Sequence, residues 1–190
     1  HRFYKFSLLT MILHSLFFLH LTPAVEEFDT IGSLDISKIR TPGTSYSILE
    51  DKDGFLWIGT DIGLWRYNGY DFEDFTNIIP ERIDGQIFQD HTGDIWVGTH
   101  SRLVQFNPAT LKSNTYKFDS ADRGSISSHI FQGKKHAFAE DSSNNLWIAT
   151  NNGLNIFSRD SKIFSSLNTQ NSALEDDFIT GIIASKEGFL

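Results

Sequence analysis

From residue 51 onward, short apolar runs alternate with clusters of Asp, Asn and Gly, and this alternation itself recurs. Residues 51–64 (DKDGFLWIGTDIGL), 90–103 (DHTGDIWVGTHSRL) and 141–154 (DSSNNLWIATNNGL) align without a gap, and residues 185–190 (SKEGFL) match the opening of the same unit. Trp57, Trp96 and Trp147 mark the period, 39 residues from the first to the second and 51 from the second to the third. A period of roughly 40–50 residues with strand content points to the blade of a β-propeller. Inside the unit the apolar period is two. Leu56, Ile58 and Thr60 face one way and Trp57 and Gly59 the other; Ile95, Val97 and Thr99 oppose Trp96 and Gly98 in the same manner, and Thr150 closes the third copy. A small residue beside each tryptophan (Gly59, Gly98, Ala149) is what closely stacked sheets require, so the indoles are expected to fill the space between neighbouring blades.

The residues between these runs predict the turns. Asp51, Asp90 and Asp141 stand where a hairpin begins, with carboxylates able to accept the backbone N–H two residues on. Three residues later come Gly54, Gly93 and Asn144, types that tolerate a left-handed backbone. A second turn follows at Asp61-Ile62-Gly63 and Asn151-Asn152-Gly153, then a third strand, and then a fourth that contains Phe72 and Phe75, Tyr116 and Phe118, or Ile163 and Phe164. Four antiparallel strands make one blade, and the units span about 44–79, 83–119 and 134–168, with a truncated one from 177. The expected class is all-β, an incomplete propeller of three blades and the start of a fourth. Arg102 occupies the place of Gly63 and Gly153, so that turn should differ, because a bulky residue is strained at positive φ. Extra residues between the second and third units fall at about 119–135, and read as a loop insertion.

Composition changes the picture mainly by exclusion. Sixteen Lys and Arg against twenty-four Asp and Glu give a formal charge of −8, which disfavours nucleic acid as a partner. The absence of cysteine removes disulfides, thiolate metal sites and thiol catalysis together. At the start, Arg2 and Lys5 precede the apolar run 6–21, and Thr22-Pro23-Ala24 supplies a break with small residues. That is the layout of a secretory signal peptide over residues 1–24, with an uncleaved N-terminal membrane anchor as the alternative; residues 25–190 are exported in either case. The first residue is His1 and not Met, so the recorded start is expected to be incomplete.

Candidate chemistry is sparse. Asp51-Lys52-Asp53-Gly54 has the alternate carboxylates of a calcium loop, but Phe55, Trp57 and Ile58 stand where further ligands belong, which favours a turn. His91, His100, His129 and His136 lie in different places with no paired zinc-ligand spacing. Gly124-Ser125-Ile126-Ser127-Ser128 lacks a nucleophile arrangement and reads as turn capping. Ser172-Ala173-Leu174-Glu175 could be a helix capping box, but a between-blade loop is preferred. No phosphate-cradling glycine loop occurs. Trp57, Trp96 and Trp147 are expected in the core before any role as a sugar platform, with Trp65 less firmly assigned. No catalytic, cofactor-binding or metal-binding residue is assigned, and no cofactor is expected.

The stretch DKDGFLWIGTDIGLWRYNGYDF resembles the two-component regulator propeller repeat, found in the periplasmic sensor regions of bacterial histidine kinases, hybrid two-component proteins and some diguanylate cyclases. The resemblance covers about residues 28–190. It implies a seven-bladed ring, a second propeller, a small β-sandwich, a membrane span and a cytoplasmic output module beyond this stretch, and it makes residues 28–39 an opening strand that closes the ring. It further implies an exported, periplasmic part of an inner-membrane protein, attached through its C-terminal part and homodimeric when whole. Such a protein would sense a small molecule or oligosaccharide. The competing readings are the sensor region of a diguanylate cyclase, an exported propeller enzyme such as a lyase or quinone-dependent dehydrogenase, and a protein-interaction scaffold. On its own, the stretch 25–190 is expected to be unstable, because its outer blades lack neighbours.

Overall fold

The computed structural model describes residues 42–129, 131, 136–185 and 188–189. The expected signal segment and the opening strand at 28–39 lie outside the described residues.

Fourteen strands and no helix occur among the described residues. The first sheet contains β1 (Ser45–Glu50), β2 (Leu56–Thr60), β3 (Gly63–Tyr67) and β4 (Phe72–Asp74). The second contains β5 (Ile87–Gln89), β6 (Ile95–Gly98), β7 (Leu103–Asn107) and β8 (Lys112–Tyr116), and the third β9 (Phe138–Glu140), β10 (Leu146–Thr150), β11 (Gly153–Phe157) and β12 (Phe164–Leu167). Each is a four-stranded meander in which every strand pairs antiparallel with the next in the chain. A short hairpin, β13 (Ala184–Ser185) with β14 (Gly188–Phe189), follows. These are propeller blades.

Register explains why the repeat is so regular. Trp57 lies between Leu49 and Arg66, Trp96 between Phe88 and Gln105, and Trp147 between Ala139 and Ile156, each one residue into its second strand. The second strands are covered on both faces, which is why Ile58 and Ile95 are as buried as the tryptophans. One core cluster joins the first and second sheets through Trp57, Leu64, Ile87, Val104 and Phe106, with Ile79 and Ile83 from the connecting segment. Another joins the second and third through Trp96, Phe138, Ile148 and Phe157. Trp57 meets Phe106 edge-on at 5.8 Å, and Trp96 meets Phe157 at 5.0 Å, so the same residue of successive blades receives each indole. The expected glycine packing is present: a Cβ on Gly59 would lie 2.5 Å from Ile83, and one on Gly98 would lie 2.9 Å from the Phe131 ring.

Two expectations are corrected, and a third is extended. The fourth strands are shorter than the sequence suggests, leaving Phe75, Phe118 and Ile163 outside them. Asp74 accepts the Thr76 N–H at 2.7 Å and turns the chain, after which Phe75 folds back into the core. The described part of the insertion at 119–135 is a loop, as expected, and it also adds to the core, since Ile126 and Phe131 are wholly buried in the second cluster. Ser127 pins it to the third sheet by donating to the Asn152 carbonyl (2.6 Å) and accepting from Asn155 (2.8 Å). Trp147 is half-buried and packs against the cluster of Ala139, Ala149, Leu154 and Ile182, in contrast to the fully buried Trp57 and Trp96.

The expected difference at Arg102 is found. Gly63 (φ 134°) and Gly153 (φ 90°) pair directly with Thr60 and Thr150, whereas pairing in the second blade stops at Gly98 and Leu103. Thr99 N–H then reaches the Arg102 carbonyl at 2.9 Å, and positive φ at a described non-glycine residue is confined to Leu111, Asn144 and Lys162. In the first and third blades the threonine hydroxyl donates across the turn, to the carbonyl of Gly63 or Gly153, and in the second it lies 3.0 Å from the Arg102 carbonyl. Residues 172–175 form a loop and not a helix, as preferred.

Candidate functional site

The repeat aspartates organise one end of the sheets. Asp51 Oδ1 accepts the N–H groups of Asp53 (3.0 Å) and Phe55 (2.9 Å), and its Oδ2 accepts the Trp57 indole N–H at 2.7 Å. Asp90 does the same for Thr92, Asp94 and Trp96, and Asp141 for Ser143, Asn145 and Trp147. Gly54, Gly93 and Asn144 complete these turns with φ of 84°, 90° and 63°. One carboxylate therefore shapes the turn and also fixes the indole that fills the seam. The indole contact is missed by reading the turn alone; its signal is the constant six-residue offset from Asp to Trp. Burial alone would raise the carboxyls of Asp90 and Asp141. Donors from Thr92, Trp96 and Arg159 in one case, and from Trp147, Asn145 and Ser143 in the other, outweigh it and hold both below the ordinary value. Among the described residues no group of carboxylates and histidines could hold a metal ion.

The seams between blades carry a recurring bond. The residue before each turn aspartate accepts the N–H of the residue after the aspartate of the preceding blade: Gln89 from Lys52 and Glu140 from His91, both at 2.8 Å. Arg159 adds a clasp in the second seam, donating to Asp90 Oδ2 at 2.9 Å, to the Asn144 carbonyl at 3.0 Å and to Glu140.

The other end of the strands holds a polar cluster built by the Phe75-to-Ile87 connection and the irregular β6–β7 turn. Glu81 accepts from the hydroxyls of Thr99 (2.9 Å) and Ser101 (2.7 Å) and pairs with Arg102. Burial would raise the Glu81 carboxyl, but the Ser101 and Thr99 hydrogen bonds with the Arg102 charge leave it lowered. Arg82 stacks 4.4 Å over the Tyr46 ring, with its Nε 3.7 Å from Asp84, and exposed His100 points Nδ1 at Asp84 from 3.4 Å. Glu81, Arg82, His100 and Ser101 line an open depression of about 310 Å³. Its surface is formed mostly by the apolar parts of these side chains, because the Glu81 carboxylate is taken up by Thr99, Ser101 and Arg102, while Arg82 and His100 border it. A nucleophile activated by a base is not formed there. His91 and His100 lie at opposite ends of the strands, each beside a carboxylate, and do not converge. Sequence reading singled out Arg102 as irregular but did not find Glu81 or Arg82.

The family model described as "Two component regulator propeller" matches residues 41–61 and 129–152, the first and third copies of the aspartate turn or its approach. At these residues the chain matches the two-component regulator propeller repeat. Among solved structures, this propeller chain is similar to the extracellular domain of a B. thetaiotaomicron protein described as a hybrid two component system, with 25% identity and a TM-score of 0.57 over 76% of this chain and 19% of that one. A second B. thetaiotaomicron extracellular domain, described as from a one component system, matches at 23% identity and 0.58, over 80% and 23%. Virginiamycin B lyase from Staphylococcus aureus shares the fold at 16% identity and 0.56, over 79% and 49%. The repeats here thus span about a fifth of the length of the extracellular domains they match. No curated protein matches the chain.

Proposed function

We propose that the chain is part of the ligand-sensing propeller of a membrane-bound bacterial signalling protein, without catalysis of its own. The observation that carries this reading is the joint one of family repeats in register and a similar extracellular domain from a hybrid two component system. The output would be a histidine-kinase core, with a diguanylate cyclase as the alternative, and the repeats would sit in the periplasm of a homodimer anchored in the inner membrane. The ligand, a small molecule or oligosaccharide, would meet the depression at Glu81, Arg82, His100 and Ser101. Its effect on output is limited to its differential affinity for the two signalling states.

Two experiments test this. The gene beyond this stretch is expected to encode a membrane span and a kinase or cyclase module; a complete gene with neither overturns the reading. Thermal-shift screening of the complete extracellular region against sugars and small polar molecules is expected to reveal a specific stabiliser. Turnover of such a compound by the same region would instead favour the enzyme class.

A further inference from the structure

The internal repeat gives a template for a second binding site, at the aspartate-turn end of the first seam. In the seam between the second and third blades, Arg159 stands in the β11–β12 turn, two residues beyond Phe157. Its counterpart in the β7–β8 turn, two residues beyond Phe106, is Pro108. The two turns share a conformation: Leu111 N–H bonds the Asn107 carbonyl at 2.9 Å and Lys162 N–H the Ser158 carbonyl at 2.8 Å, and Leu111 and Lys162 both have φ of 57°. Proline has no donor, and the first seam is correspondingly open. It holds a cleft of about 240 Å³ lined by Asp51, Gln89, Gly93 and Pro108 together with Lys52, Arg66 and neighbours.

Two of the three acceptors that hold the Arg159 guanidinium have counterparts here; the third, Glu140, is replaced by the neutral Gln89, whose Oε1 already accepts the Lys52 N–H. Asp90 Oδ2 accepts from both Trp96 and Arg159. Its equivalent, Asp51 Oδ2, accepts from Trp57 alone. The Asn144 carbonyl corresponds to that of Gly93, which receives only a long 3.4 Å contact from Gln89. Two cations flank the cleft. Arg66 is paired with Glu73 at 2.6 Å and its Cζ lies 4.6 Å from the Phe55 ring centroid, so its charge is already partnered. Lys52 is exposed, and its Nζ lies 3.9 Å from where a side chain on Gly93 would begin, so it stands at the mouth as a competitor for the same acceptors.

We propose that this cleft binds a guanidinium group, the arginine side chain of a peptide, in the position that Arg159 fills in the next seam. Arginine is preferred to lysine because the template places two nitrogens of a planar fork on the separate acceptors that recur here, a turn aspartate and the carbonyl that Asn144 supplies in one blade and Gly93 in the other. The cleft lies at the opposite end of the strands from the Glu81 depression, so its test is independent of the sensor reading. Isothermal titration of the intact protein with Nα-acetyl-arginine amide is expected to show binding, with the lysine analogue weaker by roughly tenfold, the loss of one charge-assisted hydrogen bond. Pro108→Arg should fill the cleft from within, abolish binding and raise the melting temperature. Lys52→Ala, at an exposed position, should tighten binding several-fold and decides the matter if the first variant does not fold. No binding at millimolar arginine amide, equal binding of the lysine analogue, undiminished binding by Pro108→Arg, or unchanged or weakened binding by Lys52→Ala would each overturn the proposal.

Discussion

At the scale of single residues, the aspartate that opens each repeat does three jobs with two oxygens, and the three copies are not equal. Asp90 has a wholly buried side chain and carries Arg159 besides its turn and its indole. Asp90→Asn takes away one of the two carboxylates that Arg159 holds, Glu140 being the other, and a loss of about 2–4 kcal/mol is expected, more than for the first copy. Asp51→Asn removes a carboxylate with no such cation and should cost about 1–3 kcal/mol. Denaturant unfolding of the two variants checks the order. The carboxyls of Asp90, Asp141 and Glu81 are lowered in the folded state, so their stabilisation is complete above the unfolded values near 4 and is lost as pH falls through the folded ones. Melting temperature should decline below about pH 4, and less steeply in Asp90→Asn; a flat profile through that range would count against the assignment.

At the scale of the element, a blade is a meander whose second strand is packed from both sides, and the glycine beside each tryptophan sets how near the next blade can come. Gly98→Leu would drive its side chain into Phe131 and is expected to destabilise by about 1–3 kcal/mol through overpacking. Trp96→Ala should cost about 3–5 kcal/mol by emptying the space between the second and third sheets. Thermal melts of both variants measure this, and a neutral Gly98→Leu would mean that the seam is looser than described. Much of the blade was legible beforehand because its signals are local: Asp then Gly for a turn, period two for a strand. The fold-back of Phe75 and the burial of Ile126 and Phe131 were not, since both depend on contacts with another sheet. The Glu81 cluster was half legible. Arg102 in a glycine's place announced an irregular turn, but its partner lies twenty-one positions earlier in a connection without a periodic pattern.

At the scale of the whole molecule, the three described blades expose apolar side chains at their two ends in the chain: Ile48 on β1, and Phe178 and Ile183 near the short terminal hairpin. Residues 25–190 produced alone are expected to aggregate or to unfold without a sharp transition, and the complete extracellular region to unfold cooperatively; light scattering during a thermal melt compares them. The more direct question is whether the repeats serve sensing. The deciding measurement is the melting temperature of the complete extracellular region across a panel of sugars and small polar molecules, repeated with Arg82→Ala. A sensor gives a saturable rise with a specific compound, left unconsumed, and a much smaller rise in the variant. Consumption of the compound, or an equal rise in Arg82→Ala, would contradict a sensing site at this depression.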